Sequence, residues 1–279
     1  MKKLVTVLLA LCLCLLAACV GLENAAPAGQ EPEAPSGEAL PEYRVETIEA
    51  QESFQASDGT ELASCSYELP ALSIANLGDL SPEKAEAAQR SADTFNEKMQ
   101  GMLDNSVAWG KDVADSASGV YGDGYLAEGY YDQCSYRASI CGQIVSVRVD
   151  TASYTGGAHP NSYAASYLFD LAAGQFINPT QLADEPETFR SGAAKLLLEK
   201  AEASDARESY WSDYEESISR WNEGTVLFDG EGMEVVYSHY ELGPYAIGEV
   251  SLRLRYEEIA DLLGPGGLDR LGVRLEPES

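Results

Sequence analysis

The chain has 279 residues, of which 46 are acidic and 18 basic, giving a formal net charge of −28. So strong an acidic excess excludes nucleic acid and anionic lipid headgroups as electrostatically favoured partners. It points instead to a cationic protein, a divalent cation or simply a surface kept soluble by charge. An ordinary apolar content of 45% at this length allows one large domain or two modest ones with real cores.

Lys2 and Lys3 precede an apolar run from Leu4 to Leu16, and Leu16-Ala17-Ala18-Cys19 closes it. That order is a secretory signal ending before Cys19. The small residues at 17 and 18 suit a signal peptidase, and the cysteine after them is the position that takes up diacylglycerol in bacterial lipoproteins. A plain signal peptide and a membrane anchor are the alternatives, but a spanning helix needs about 20 apolar residues, more than this run supplies. Residues 1–18 are therefore expected to be removed and Cys19 lipidated, and the loss of Lys2 and Lys3 makes the charge two units more negative. Residues 19–42 hold Pro27, Pro32, Pro35 and Pro41 among Ala, Gly and Glu, with too little to bury to offset the entropy of ordering. They read as a flexible tether with a mean reach on the order of 25 Å. The folded part is thus expected at the extracytoplasmic face of a cell membrane, held by lipid.

Arg44–Ser53 and Glu61–Leu69 alternate apolar residues and predict strands. Ser81-Pro82 reads as an N-cap and first helical residue. Ala85, Ala88, Ala92, Phe95, Met99, Met102, Trp109 and Val113 then recur mostly at three- and four-residue steps. This predicts a long amphipathic helix with a core-facing stripe, and Gly101 and Gly110 are the places where it could bend. Strands are expected at Tyr130–Tyr136, Ile140–Asp150 and Tyr163–Leu171. In the second of these Val145, Val147 and Val149 alternate with Ser146 and Arg148, the period of a half-buried strand. Helices follow at Pro186–Ala203 and Ala206–Trp221. Strands resume at Thr225–Phe228 and Met233–Ser238 around the turn-rich Asp229–Gly232. A last strand carries Val250, Leu252, Leu254 and Tyr256 inward, and a short helix, Glu257–Leu263, stops at Gly264-Pro265.

This order predicts an α+β fold of mostly antiparallel sheet with a long amphipathic helix and inserted helices. A division near Thr151 would give an N-terminal α+β subdomain, 43–150, and a C-terminal one, 151–279.

Cys65, Cys134 and Cys141 remain after processing, an odd number that leaves at least one thiol without an intrachain partner. A two-residue turn at Arg137-Ala138 would set Cys134 opposite Cys141, near enough for a disulfide, whereas a different register leaves them free. The sequence has no CxxC pair, zinc-spaced His/Cys set, GxSxG or HExxH, so neither a metal nor a cofactor is expected. Its two histidines lie in separate turn-rich stretches. His159 follows Tyr154-Thr155-Gly156-Gly157-Ala158, where paired glycines permit positive φ, and precedes Pro160-Asn161. His239 sits in Tyr237-Ser238-His239-Tyr240 and carries no spacing signal that assigns it a role. Glu241 to Gly248 continue that stretch as a loop whose backbone is fixed at Pro244. Tyrosines there suit a protein-binding surface or the capping of a sheet core.

Together these two stretches resemble a known family. Tyr154–His159, Tyr167-Leu168-Phe169-Asp170-Leu171 and Tyr240–Gly248 resemble, in order, the extracellular domain of RsiV-type anti-sigma factors. A similar domain precedes the catalytic part of PdaC-type peptidoglycan deacetylases. The likeness spans roughly Tyr43 to Leu263. It implies a receptor for lysozyme in the first case and an association with cell-wall chemistry in the second. The sequence shows neither a sigma-binding segment nor a transmembrane helix, nor a deacetylase domain with metal-binding histidines, so what the resemblance carries over is binding.

The resulting expectation is a non-enzymatic, lipid-anchored protein that captures a cationic cell-wall hydrolase such as lysozyme, or peptidoglycan. Contact is expected through Gly156, Gly157 and Asn161 of one loop and through Tyr240, Pro244 and Tyr245 of the other, with His159 shaping its loop. The alternatives are an enzyme acting on peptidoglycan through Asp150 or Glu241 with His159, and a structural partner of another envelope protein.

Overall fold

Period-two alternation between residues 43 and 177 builds one six-stranded sheet. The structure, a computed structural model, describes residues 39–275 apart from 125 and 127. The signal segment, Cys19 and nearly all of the tether lie outside the described residues. The strands are β1 (Tyr43–Gln55), β2 (Glu61–Ile74), β3 (Tyr130–Cys141), β4 (Ile144–Tyr154), β5 (Asn161–Asp170) and β6 (Gln175–Ile177), arranged in that order. All neighbours are antiparallel except β2 and β3. A parallel pair needs a long crossover, and the helix α1 (Pro82–Gly122) supplies it. Ser81 and Pro82 occupy the N-cap and first turn of α1, and the helix runs through Gly101 and Gly110 for about 60 Å.

A second layer follows β6. It comprises α2 (Pro186–Glu202), the short α3 (Tyr214–Ser219), a three-stranded antiparallel sheet of β7 (Val226–Phe228), β8 (Gly232–Tyr237) and β9 (Val250–Arg255), and α4 (Tyr256–Arg270). Gly264, at φ 70°, kinks α4 where Gly264-Pro265 predicted a stop. Tyr256 opens this helix instead of closing β9, and its hydroxyl donates to the Asp229 carbonyl at 2.7 Å.

The central sheet is buried on both faces. Tyr67, Val147 and Phe169 pack with Ala92, Phe95, Met99 and Leu103 of α1, while Ile144 and Leu168 on the other face meet Phe189, Trp221, Phe228 and Leu254 of the second layer. Ser146, fully buried, accepts a hydrogen bond from the Phe228 amide at 2.8 Å and so joins the two sheets. β4 is therefore not half-buried over its first part, because its polar alternates serve as links between layers.

Three expectations are corrected. β3 runs straight through Arg137 and Ala138, and the chain turns at Gly142 (φ 57°), where an added Cβ would lie 2.6 Å from the Arg270 carbonyl. Cys134 faces Thr151 and Cys141 faces Ile144, so the two cysteines are seven residues, about 23 Å, apart on one strand and point to opposite faces. No disulfide joins them, and Cys65, Cys134 and Cys141 are all buried free thiols. The helix expected over 206–221 is broken into a single turn at Arg207–Ser209 and α3. Between them the Trp211 amide bonds the Leu242 carbonyl at 2.8 Å, a tertiary bond that takes the place of a helical one. Finally, a boundary at Thr151 falls within β4, whose partners β3 and β5 lie on either side of it in sequence.

Candidate functional site

The β4–β5 turn and the β8–β9 connection, some eighty residues apart, meet around one tyrosine ring. Gly156 (φ 92°) and Gly157 (φ 112°) fold the first turn back so that the Tyr154 hydroxyl donates to the Gly157 carbonyl at 3.2 Å. The His159 Nδ1 lies 2.9 Å from the Pro160 carbonyl, which can only accept, so Nδ1 carries a proton, and Nε2 lies 3.5 Å from the Tyr240 hydroxyl. Asn161 starts β5 opposite Ser153 and contributes to the strand ladder.

In the second segment the Glu241 carboxylate accepts from the Ser238 amide at 2.8 Å and closes a turn, and buried Leu242 pins the loop to the core. A Cβ on Gly243 would stand 2.7 Å from the Ser209 carbonyl, which explains a glycine at this crossing. Pro244, at φ −65°, starts a helical turn over Tyr245–Ile247. The Tyr245 ring lies between the two imidazoles of the chain: His159 stacks at 4.2 Å between centroids, with 20° between planes, and His239 at 4.5 Å and 27°. Tyr240 sits beside the stack at 5.6 Å from Tyr245. It is the one non-glycine residue with positive φ (68°) among the described residues, and its side chain is 56% exposed. Exposed Trp211 adds an indole whose Nε1 donates to the Tyr240 carbonyl at 3.3 Å.

A cleft of about 330 Å³ adjoins this surface through His239, whose Nδ1 is 3.3 Å from the Ser162 hydroxyl. Asp150 and Glu249 lie along it, and both carboxylates bond the guanidinium of Arg148 at 2.5 Å. Buried between the sheets, that guanidinium is held charged by the two acids against the desolvation of its site.

Thus the structure brings together Gly156, Gly157, His159, Tyr240, Pro244 and Tyr245, with Asn161 at the edge. It does not assemble Asp150, Glu241 and His159 into a catalytic set: Asp150 pairs with Arg148, Glu241 closes its turn, His159 bonds a carbonyl, and none of the three bonds another. Sequence reasoning missed Trp211 and the stacking role of His239, along with the cleft. The polar alternation of Ser66-Tyr67-Glu68 and of Gln133-Cys134-Ser135 was the available signal for the cleft. No group of three or more His, Cys, Asp or Glu side chains suited to a metal occurs among the described residues. None of the described helices is long and apolar enough to cross a membrane.

No protein-family model and no curated protein matches the sequence. Two crystal structures are similar in fold. A member of the DUF3298 family from Bacteroides fragilis has 14% identity and a TM-score of 0.61 over 84% of this chain and 97% of its own. A DUF3298 family protein from Pseudomonas aeruginosa has 13% identity and a TM-score of 0.53 over 81% and 96%. At such identities the likeness is one of architecture, and on that ground the chain has the fold of DUF3298 family proteins.

Proposed function

We propose that this is a lipid-anchored, extracytoplasmic binding protein that captures a cationic cell-wall hydrolase of the lysozyme type through the surface around Tyr245. The observation that carries the reading is the convergence of the two sequence motifs on one exposed aromatic cluster, Tyr240 and Trp211 beside the His159–Tyr245–His239 stack. Exposed rigid aromatics supply contact area with few rotors to immobilise, which suits a protein interface. The formal charge of −28 favours encounter with a basic partner. The resemblance to RsiV-type receptors, of whose stretches Tyr154–His159 and Tyr240–Gly248 meet at this surface, points to lysozyme as the class of partner. A non-enzymatic role fits the dispersal of Asp150, Glu241 and His159, and the two similar structures are described by family alone, with no activity attached.

Calorimetric titration of the purified protein with hen egg-white lysozyme at low and moderate salt tests the proposal. The expected result is saturable one-to-one binding that survives moderate salt and weakens at least about tenfold in both Tyr240→Ala and Tyr245→Ala. Binding abolished by moderate salt, or unchanged in both folded variants, would overturn it.

A further inference from the structure

Along the central sheet the face turned toward the second layer changes character. Near the core it presents Ile144, Leu168 and Ser146. Two residues further along β4 comes Arg148, then Asp150, after which the strand is only half-buried. Residues opposite one another in a ladder share a face, so Ser135 and Gln133 of β3 and Ser162 of β5 belong to the same surface as Asp150 and Ala152. Ser66 extends it onto β2, with Glu68 next on the same side. The second layer thus leaves a polar strip of sheet uncovered, and the cleft lies over that strip. Its other wall is Ser238, His239 and Glu249, and the His239 imidazole is the ring on its lining, since Tyr163, opposite Thr151, carries its side chain on the other face of the sheet.

A volume of about 330 Å³ is at the lower end of ligand-sized pockets. The lining sets the chemistry of the occupant. Carboxylates of Glu68, Asp150 and Glu249 accept hydrogen bonds, Gln133, Ser135 and Ser162 both donate and accept, and His239 offers ring surface. Behind the carboxylates the Arg148 Nη1 is buried with no acceptor. A purely apolar ligand would strand these polar groups. An anion would meet three carboxylates against one guanidinium, and a bare cation would find Asp150 and Glu249 already paired with Arg148. A polyhydroxylated ring matches these walls, since its hydroxyls donate to the carboxylates and accept from amide and hydroxyl while its CH groups meet the His239 ring.

We propose that this cleft is a saccharide-binding site that takes a short stretch of an uncharged oligosaccharide. The site is distinct from the surface around Tyr245, and His239 alone belongs to both.

The test is calorimetric titration of the purified protein with N-acetylchitotetraose and with cellotetraose, with tetragalacturonate as an anionic comparison. Saturable binding of a neutral probe but not of the anionic one is expected, with at least about tenfold weakening in each of Glu68→Gln and Gln133→Ala. Both side chains lie outside the buried core, so circular dichroism of the variants should match the parent. Absence of binding to both neutral probes, equal binding of tetragalacturonate, or unchanged affinity in both variants would overturn the proposal. Lysozyme titrated separately reads the surface around Tyr245, so failure of one proposal is told apart from failure of the other.

Discussion

Tyr240 holds a backbone conformation that a β-carbon disfavours, and the energy it forgoes is specific enough to measure. A left-handed non-glycine residue costs roughly 1–2 kcal/mol, and such strain persists where surrounding structure enforces it. Here the enforcing contacts are the Glu241–Ser238 turn, the anchor at Leu242 and the Trp211 bonds to the carbonyls of Tyr240 and Leu242. Tyr240→Ala and Tyr240→Gly both remove the ring, but only glycine relieves the strain. Urea denaturation should therefore find Tyr240→Gly more stable than Tyr240→Ala by about 1 kcal/mol, with both equally weak toward lysozyme. Equal stability of the two would show that the loop relaxes once the ring is gone. At this scale the sequence marked Tyr240, Tyr245 and His159 by residue type and by the glycines and proline around them. It left His239 without a role because the partners that give it one, Ser162 and Tyr245, lie 77 residues upstream and six downstream with no periodic relation to it.

Two of the glycines inside α1, Gly101 and Gly110, stand in opposite surroundings. At Gly101 an added Cβ would meet nothing within 4 Å, so Gly101→Ala gains helix propensity without a clash and should stabilise by about 0.5–1 kcal/mol. At Gly110 the same atom would collide with the Tyr67 hydroxyl and lie 2.8 Å from the Cys65 sulfur. Tyr67 cannot swing aside cheaply, since it is buried and its hydroxyl donates to buried Asp132 at 2.9 Å. Overpacking of this kind costs roughly 1–3 kcal/mol, more than the propensity gained, so Gly110→Ala should lower the melting temperature while Gly101→Ala raises it. A stabilised Gly110→Ala would mean that helix and sheet can separate locally at no cost. The helix itself was legible because its apolar residues keep helical spacing past both glycines. The β3–β4 turn was not, because Arg137-Ala138 and Gly142-Gln143 both separate alternating segments. What selects Gly142 is close approach to Arg270, at the far end of the chain.

At the scale of the molecule, the fold class was readable from the alternation of strands and helices, whereas the layering was not. β4 reads as a strand with one wet face, yet Ser146 and Arg148 are buried by a second layer whose sequence gives no sign of where it packs. That layer is tied together by ion pairs more than the first is. Burial works against the charge of Asp229, but the amides of Glu231 and Gly232 and the Arg253 guanidinium hold its carboxyl below the usual range, joining the β7–β8 turn to β9. Lys200 of α2 does the same for Glu258 of α4 across 2.6 Å. With folded values depressed, the unfolded chain takes up protons first as pH falls. The stabilisation is complete above the ordinary carboxylate range near pH 4 and is lost as pH drops through the folded values. Protonation elsewhere relieves the repulsion within a chain of charge −28, an effect spread over the whole surface. Acid should therefore loosen the second layer before the central sheet. In a Trp109→Phe, Trp211→Phe protein the emission of buried Trp221 reports that layer alone, and amide exchange along β3 and β4 reports the sheet. Trp221 is expected to shift to the red at a higher pH than the β4 amides lose protection, and Asp229→Asn should move the Trp221 transition toward neutral pH. Coincident transitions would instead make the Ser146–Phe228 and Arg148–Glu249 links strong enough to bind both layers into one cooperative unit.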